Sequence, residues 1–275
     1  MALSSVSSNF SSFSTIEVVS TCVESTVSEG SEIALSAFLE LSLQERVSTT
    51  EIKKKIERLR DFMDFDFFEQ RISKIKNLPL PGEASQYKMA PEGRLLALKK
   101  LALEKQNPRK AAVMALFYPT VEKKTNLLFI LRKTYKGVHS NQIGFPGGKE
   151  EKSDIGLLTT ALRETHEEVG VAPNDITVVK KISKIFVPPS NFIVQPYIGL
   201  YRNPKPFIKQ DDEVELILEV PIVDFLDEAN IVFEKLSTSY ATNIEVPAFK
   251  LNGYIVWGAT AMMLSEIKEL IKQVL

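Results

Sequence analysis

The sequence predicts a layered α/β sandwich: a mixed β-sheet with helices on both sides. Three observations predict it. Short apolar runs of strand length follow one another closely, a stretch with helical periodicity comes after a glycine-rich turn, and a second such stretch closes the chain behind further strands.

Taken in order, residues 111–118 and 126–133 are apolar runs too short for helices, separated by the polar turn 122–125, and read as neighbouring strands. The turn Phe145-Pro146-Gly147-Gly148 leads to a helix over 156–169, whose Leu157, Leu158, Ala161 and Leu162 are expected to pack toward the core. Residues 177–186 and 192–201 read as strands flanking Pro188-Pro189-Ser190-Asn191. Further strands are expected at 216–221, 220–228, 244–251 and 254–257, and a terminal helix at 259–272. Upstream, Phe67, Phe68 and Ile72 stand at helical spacing and read as core residues, and Pro79-Leu80-Pro81-Gly82 reads as a linker.

Residues 1–62 differ in character. The first fifty are rich in Ser and Thr and carry Arg46 as their only basic residue. A secretory signal needs a basic start and a sustained apolar core, and a mitochondrial presequence is Arg-rich and poor in acids; Glu17, Glu24, Glu29 and Glu32 argue against both. A short amphipathic helix is expected at 33–43 and a solvated helical run at 53–60. From Met63 the composition changes, so 63–275 is expected to be the folded domain. Residues 1–62 are then an extension without fixed structure, or follow an upstream start that is not used.

Composition bounds the function. Hydrophobic residues at 44% and charged residues at 25% are ordinary globular usage. A formal net charge of −1 gives no electrostatic reason to expect a nucleic-acid polymer as partner. One cysteine, Cys22, excludes an intramolecular disulfide and suits a reducing compartment, and the two histidines, His139 and His166, form no Cys/His cluster for structural zinc. No apolar run reaches the roughly 18 residues that suggest a membrane span. The expected location is cytoplasmic, with no membrane partner.

The chemistry concentrates in residues 147–171. On a helix, Glu164, Glu167 and Glu168 stand at i, i+3 and i+4 and share a face. Each like-charge pair at such spacing costs a surface helix roughly 0.2 to 0.5 kcal/mol. The acids also fall in the last turn before Gly170, where the helix dipole disfavours anions. Mg²⁺ or Mn²⁺, which prefer carboxylate oxygens, would reverse the sign of that repulsion. The bland alternative is a solvated acidic face; the flanking Phe145-Pro146-Gly147-Gly148 and Gly170 argue against it. Arg163 can pair with Glu167 at i+4. His166, at i+2 from Glu164, points away from the acids, and His139 reads as a loop residue.

This stretch resembles the Nudix box, G-x5-E-x7-R-E-U-x-E-E-x-G-U, of the Nudix hydrolases. Gly148 matches the first glycine and Arg163-Glu164-Thr165-His166-Glu167-Glu168-Val169-Gly170-Val171 the distal half, with Thr165 in an aliphatic place. The interval from Gly148 to Arg163 is one residue longer than the general pattern, with Asp154 near its first glutamate, as in the coenzyme A pyrophosphatase branch. That branch's second signature, L-L-T-x-R-S-x3-R-x3-G-x3-F-P-G-G, is similar to residues 127–148. Arg132 and Phe145-Pro146-Gly147-Gly148 match; Lys133 replaces the serine, Gly137 the arginine with Lys136 beside it, and Asn141 a glycine. Asn tolerates a left-handed backbone better than most residues.

The resemblance implies a Nudix-type α/β/α sandwich over 63–275 and metal-dependent hydrolysis of the diphosphate bond of coenzyme A, or a derivative, to 3′,5′-ADP and 4′-phosphopantetheine. By the resemblance, Mg²⁺ or Mn²⁺ would be held by Glu164, Glu167, Glu168 and the Gly148 carbonyl, with Arg163 orienting the acids. A further carboxylate from a distant loop is expected as ligand or general base: Glu213, with Glu215, Asp211 and Asp212 competing. Arg132, Lys133 and Lys136 are the candidates for reading the 3′-phosphate of coenzyme A. The expected partner is a small nucleotide, with a homodimer left open. Two rivals remain: another Nudix activity, on ADP-ribose or dinucleoside polyphosphates, and a non-catalytic nucleotide sensor, against which the intact acids argue.

Overall fold

The computed structural model describes residues 64–91, 107–133, 141–236 and 244–275. Met63, Lys136, Gly137, His139, the N-terminal segment 1–62 and the helical runs expected at 33–43 and 53–60 lie outside these residues.

Helix α1 (Phe65–Ile72) is capped by the Asp64 carboxylate, which accepts the Asp66 and Phe67 N–H groups at 3.0 and 3.2 Å. It buries Phe65, Phe68 and Ile72 and leaves Phe67 partly covered. The linker 79–82 leads to the short helix α2 (Glu83–Gln86). Strands β1 (Arg109–Pro119) and β2 (Thr125–Arg132) then form an antiparallel pair around the expected turn. Next come β3 (Ile143–Gly144), β4 (Gly147–Lys149) and helix α3 (Leu157–Val169). Strands β5 (Ile176–Lys181), β6 (Ile185–Val187), β7 (Phe192–Tyr201) and β8 (Val214–Pro221) follow. Helix α4 (Ile222–Leu226), strands β9 (Ile231–Leu236), β10 (Ile244–Leu251) and β11 (Tyr254–Trp257), and helix α5 (Gly258–Lys272) complete the described chain.

The main sheet runs β3-β2-β1-β7-β5, with β4 paired to β1, β6 to β7 and β8 to β2. It is mixed: β1 and β7 are parallel, and the other pairings are antiparallel. Strands β9, β10 and β11 form a separate antiparallel sheet. Side chains alternate across a strand, and here both faces are covered, which is why β1 and β2 read as nearly continuous apolar runs. Ala115, Phe117, Leu127 and Phe129 join one core cluster with α1 and α5 residues such as Phe68 and Leu264. Met114, Leu116, Leu128 and Ile130 join the other with Ala161 and Val169 of α3. The expected α/β/α layering is present.

Four local expectations are corrected. The strand expected at 177–186 is two, β5 and β6, because the chain breaks its ladder at 182–184, where the Gln195 side chain donates to the Ile182 carbonyl at 2.7 Å. The strand expected at 220–228 ends at Pro221; Ile222, Phe225 and Leu226, at i, i+3 and i+4, bury as the short helix α4. Strand β9 was not anticipated, since its Phe233 is exposed and it is held by pairing with β10. Leu158 is 37% exposed, and the inward face of α3 is made by Thr160, Ala161, Thr165, Glu168 and Val169. Thr165 fills its aliphatic place by donating its hydroxyl to the Ala161 carbonyl at 2.6 Å.

Candidate active site

Gly147 and Gly148 lie in β4, against the start of β1. Gly147 has φ +148°, and a Cβ there would fall 2.3 Å from the Ala112 carbonyl. A Cβ on Gly148 would fall 2.5 Å from the Glu164 carboxylate. The first glycine therefore lets two strands close, and the second lets an acid of α3 reach the strand.

The loop into α3 is tied by Asp154. Its carboxylate accepts the Glu151 N–H and the Thr160 hydroxyl, both at 2.9 Å, and the Arg163 guanidinium at 3.1 Å. The Arg163 hydrogen bonds hold the Asp154 carboxyl at about 2, below its ordinary value. Arg163 also meets Glu164 at 3.0 Å, Glu167 at 2.8 Å and the Lys149 carbonyl at 3.1 Å. It sits among the acids as an orienting cation, its own pKa raised chiefly by the bond to Asp154.

Glu164, Glu168 and Glu213 converge, each offering a carboxylate oxygen with the three oxygens within 4.8 Å of one another. Glu167 stands apart, 53% exposed and paired with Arg163. Glu168 is only 2% exposed. Its Oε2 accepts the Gly147 N–H at 2.7 Å, and Arg132 stands 3.6 Å from its Oε1. That Oε1 is buried without a hydrogen-bond partner. Burial pushes the Glu168 carboxyl up to about 7 against the lowering effects of Arg132 and the Gly147 amide. Burial likewise raises Glu164.

Arg132 donates to the Gly147 carbonyl as well as facing Glu168. Its side chain also lines the cleft beside the acids. Arg132 sits at a register shift between β2 and β8 at Leu131/Arg132, and bulges beside sites are known to re-aim side chains. Lys133, the next residue, donates its backbone N–H to the Glu213 carbonyl at 2.9 Å. His166 is exposed, and its carbonyl accepts the Gly170 N–H that ends α3. Asn141 adopts φ +56°, the left-handed backbone that its place in the pattern calls for.

The donor set fits a hard divalent cation. Three carboxylates, one with a buried oxygen lacking any hydrogen bond, are the oxygen-rich and anionic surroundings that Mg²⁺ or Mn²⁺ takes. Beside the acids lies a cleft of about 240 Å³, lined by Gly148, Lys149 and the apolar side chains of Val113, Val187, Phe192 and Met263. Arg109 stacks 4.1 Å above the Phe192 ring and donates to the Ser190 carbonyl at 2.8 Å. Sequence spacing alone gave no sign of this cleft, because the parallel β1–β7 pairing and α5 bring its walls together.

A family model described as the NUDIX domain matches residues 108–230. The uncharacterized Nudix hydrolase NudL of Salmonella paratyphi B is 31% identical over 166 residues, covering 60% of this chain and 83% of that protein. The NudL of Salmonella newport matches to the same extent. Among solved structures, the Nudix hydrolase RenU of M. smegmatis aligns with TM-score 0.43 and 13% identity over 61% of this chain and 88% of its own. A MutT/nudix family protein of Enterococcus faecalis aligns with TM-score 0.42 and 17% identity over 66% and 70%. With the glycine turn, Arg163 and the acids of α3 in the places of the box, and a NudL relative matched over most of its length, the chain belongs to the Nudix hydrolase family.

Proposed function

We propose that this Nudix hydrolase cleaves the diphosphate bond of coenzyme A or a derivative, giving 3′,5′-ADP and 4′-phosphopantetheine. The observation that carries the chemistry is the convergence of the Glu164, Glu168 and Glu213 carboxylates, with Glu168 Oε1 buried and without a hydrogen bond. The coenzyme A substrate rests on the signature across residues 127–148 and on the apolar cleft beside the acids.

Glu164, Glu168 and Glu213 would hold Mg²⁺ or Mn²⁺, with the Gly148 carbonyl as a further oxygen donor; Glu167 could join them only by leaving Arg163. When bound, such ions supply charge neutralisation and Lewis acidity at a diphosphate. Where Glu213, the most exposed of the converging acids, does not itself ligate the ion, it would instead take a proton from the water that attacks one phosphorus. As that P–O bond forms, the bridging P–O bond breaks, and the bridging oxygen leaves on the other phosphate. Arg163 keeps the acids oriented through Asp154, Glu164 and Glu167. Arg132 fixes Glu168 and the Gly147 carbonyl together.

The cleft walled by Phe192, Val187 and Met263 suits the nonphosphate part of the substrate. Lys149 on its lining and Arg109 above Phe192 supply positive charge for a 3′-phosphate, alongside Lys133 and Lys136. The test is a panel of coenzyme A, dephospho-coenzyme A, ADP-ribose and diadenosine polyphosphates with Mg²⁺ or Mn²⁺, read by chromatography and mass. Release of 3′,5′-ADP and 4′-phosphopantetheine, with coenzyme A preferred over its dephospho form, is expected. Turnover of another panel member alone would end the coenzyme A reading, and binding without turnover would favour a sensor.

A further inference from the structure

The loop that carries Glu213 has no regular structure of its own before β8, yet its carboxylate must arrive beside Glu164 and Glu168 from a different part of the chain. One residue supplies three of the bonds that bring it there. The Gln210 N–H donates to the Glu168 carbonyl at 3.1 Å, in the last turn of α3. The Gln210 carbonyl accepts the Val214 N–H at 3.0 Å, closing the turn. Its side-chain Oε1 accepts the Glu213 N–H at 2.7 Å. Gln210 thus ties the backbone of one acid to the backbone of another.

Neighbouring contacts keep this bracket in place. The Ile208 N–H donates to the Val169 carbonyl at 3.1 Å, so two orphan carbonyls at the end of α3 are satisfied by the incoming loop. Gly170, at φ +77°, ends the helix, and a Cβ there would fall 2.9 Å from the Ile208 side chain. On the far side of the turn, Lys133 N–H bonds the Glu213 carbonyl at 2.9 Å. The peptide groups of Glu213 are therefore held from both sides, and among the described residues only the Gln210 contact comes from a side chain.

We propose that Gln210 is a positioning residue that sets Glu213 against Glu168, acting on catalysis and cation binding only through Glu213. The proposal rests on the metal-dependent reading of the acid cluster. It does not depend on which diphosphate is the substrate. A free Asp or Glu at 213 would sample many positions on an exposed turn; the side-chain acceptor at 210 removes that freedom. Outer partners of this kind commonly contribute 10- to 100-fold to metal affinity or rate.

The experiment is a double-mutant cycle on the full chain with Gln210→Met, Glu213→Gln and both together, read as kcat, KM and the Mn²⁺ dissociation constant, with melting temperature as a control. Methionine keeps the length of the side chain and removes the acceptor. Q210M is expected to lose about 10- to 100-fold in kcat and to weaken Mn²⁺ binding, with KM within about twofold. In the E213Q background the same change is expected to add less than about twofold, because the residue it positions is already disabled. Q210E, which restores an acceptor, is expected to recover at least about fivefold of the loss. Independent, multiplying effects of Q210M and E213Q would overturn the proposal, as would a Q210M with unchanged kcat and Mn²⁺ affinity. Loss of a cooperative melt in Q210M would overturn it too, since the side chain would then hold the fold and not Glu213. A wild type that turns over ADP-ribose but not coenzyme A ends only the substrate reading, and the cycle is run on ADP-ribose. With no turnover of any substrate, the Mn²⁺ affinities alone decide it.

Discussion

Replacing Glu168 by Gln is expected to stabilise the metal-free protein at alkaline pH while abolishing turnover. Glu168 is 2% exposed, and burial lifts its carboxyl from an ordinary 4.5 to about 7. The sign follows from proton linkage. The unfolded chain gives up this proton near the ordinary value, whereas the folded protein keeps it until about 7. The stability is fully present below the ordinary value and is lost as pH rises through about 7. Over that window the loss is about 3 kcal/mol, at 1.36 kcal/mol for each pH unit between the two values. Glutamine resembles the protonated acid and keeps an oxygen for the Gly147 N–H, while Arg132, 26% exposed, is solvated at its rim.

At about 2–4 °C for each kcal/mol in a domain of this size, E168Q should melt about 6–12 °C above wild type at pH 8 in EDTA. At pH 5 most of that difference should vanish, because Glu168 is then largely protonated in the folded state. Adding Mn²⁺ at pH 8 should raise the wild-type melting temperature and leave that of E168Q nearly unchanged, since ligands stabilise only the state that binds them. Thermal melts by circular dichroism at both pH values, with and without Mn²⁺, check all three statements. An E168Q protein less stable than wild type at pH 8, or a difference that does not change with pH, would refute the reasoning.

Gly148→Ala puts a methyl group where the Glu164 carboxylate lies, so kcat/KM should fall by about 100-fold with only a small change in melting temperature; steady-state kinetics and a melt check this. Arg163→Lys keeps the charge but not the fork that meets Asp154, Glu164 and Glu167 together, and a 10- to 100-fold loss of kcat is expected, which a Lys variant with wild-type kcat would contradict. Gly170→Ala forces a side chain into left-handed backbone and against Ile208, so a urea melt should show a loss of about 1–2 kcal/mol, with weakened Mn²⁺ binding as the Glu213 loop shifts.

The sequence foretold most where one period decides the outcome. Strands 192–201, 244–251 and 254–257 were legible from apolar runs alone, and the shared face of Glu164 and Glu168 follows from their i, i+4 spacing. It foretold less where position depends on distant pairing. Glu213 reaches the acids through a loop whose Gln210 bonds Glu168 and through its own carbonyl's bond from Lys133, which no local pattern encodes; in the sequence it was the candidate of an acidic run in which Asp211, Asp212 and Glu215 competed with it. The bond from Arg132 to the Gly147 carbonyl joins the end of β2 to β4, beside a register shift against β8, and no local pattern encodes it. Pro221 ends β8 as the strand expected at 216–221 has it, since proline lacks the N–H that a continuing ladder needs, and only the overlapping expectation at 220–228 ran past it. The walls of the cleft were not visible because Phe192 and Met263 meet Gly148 only after β1 and β7 pair in parallel and α5 packs on the sheet.

The central claim is that Glu164, Glu168 and Glu213 hold a divalent cation. Crystals soaked in Mn²⁺ and measured at a wavelength where manganese scatters anomalously test it most directly. A peak at about 2.0–2.3 Å from Glu168 Oε1, with carboxylate oxygens of Glu164 and Glu213 around it, is the predicted result. No peak among these three acids at saturating Mn²⁺, or a peak only at surface acids such as Glu228, would contradict it.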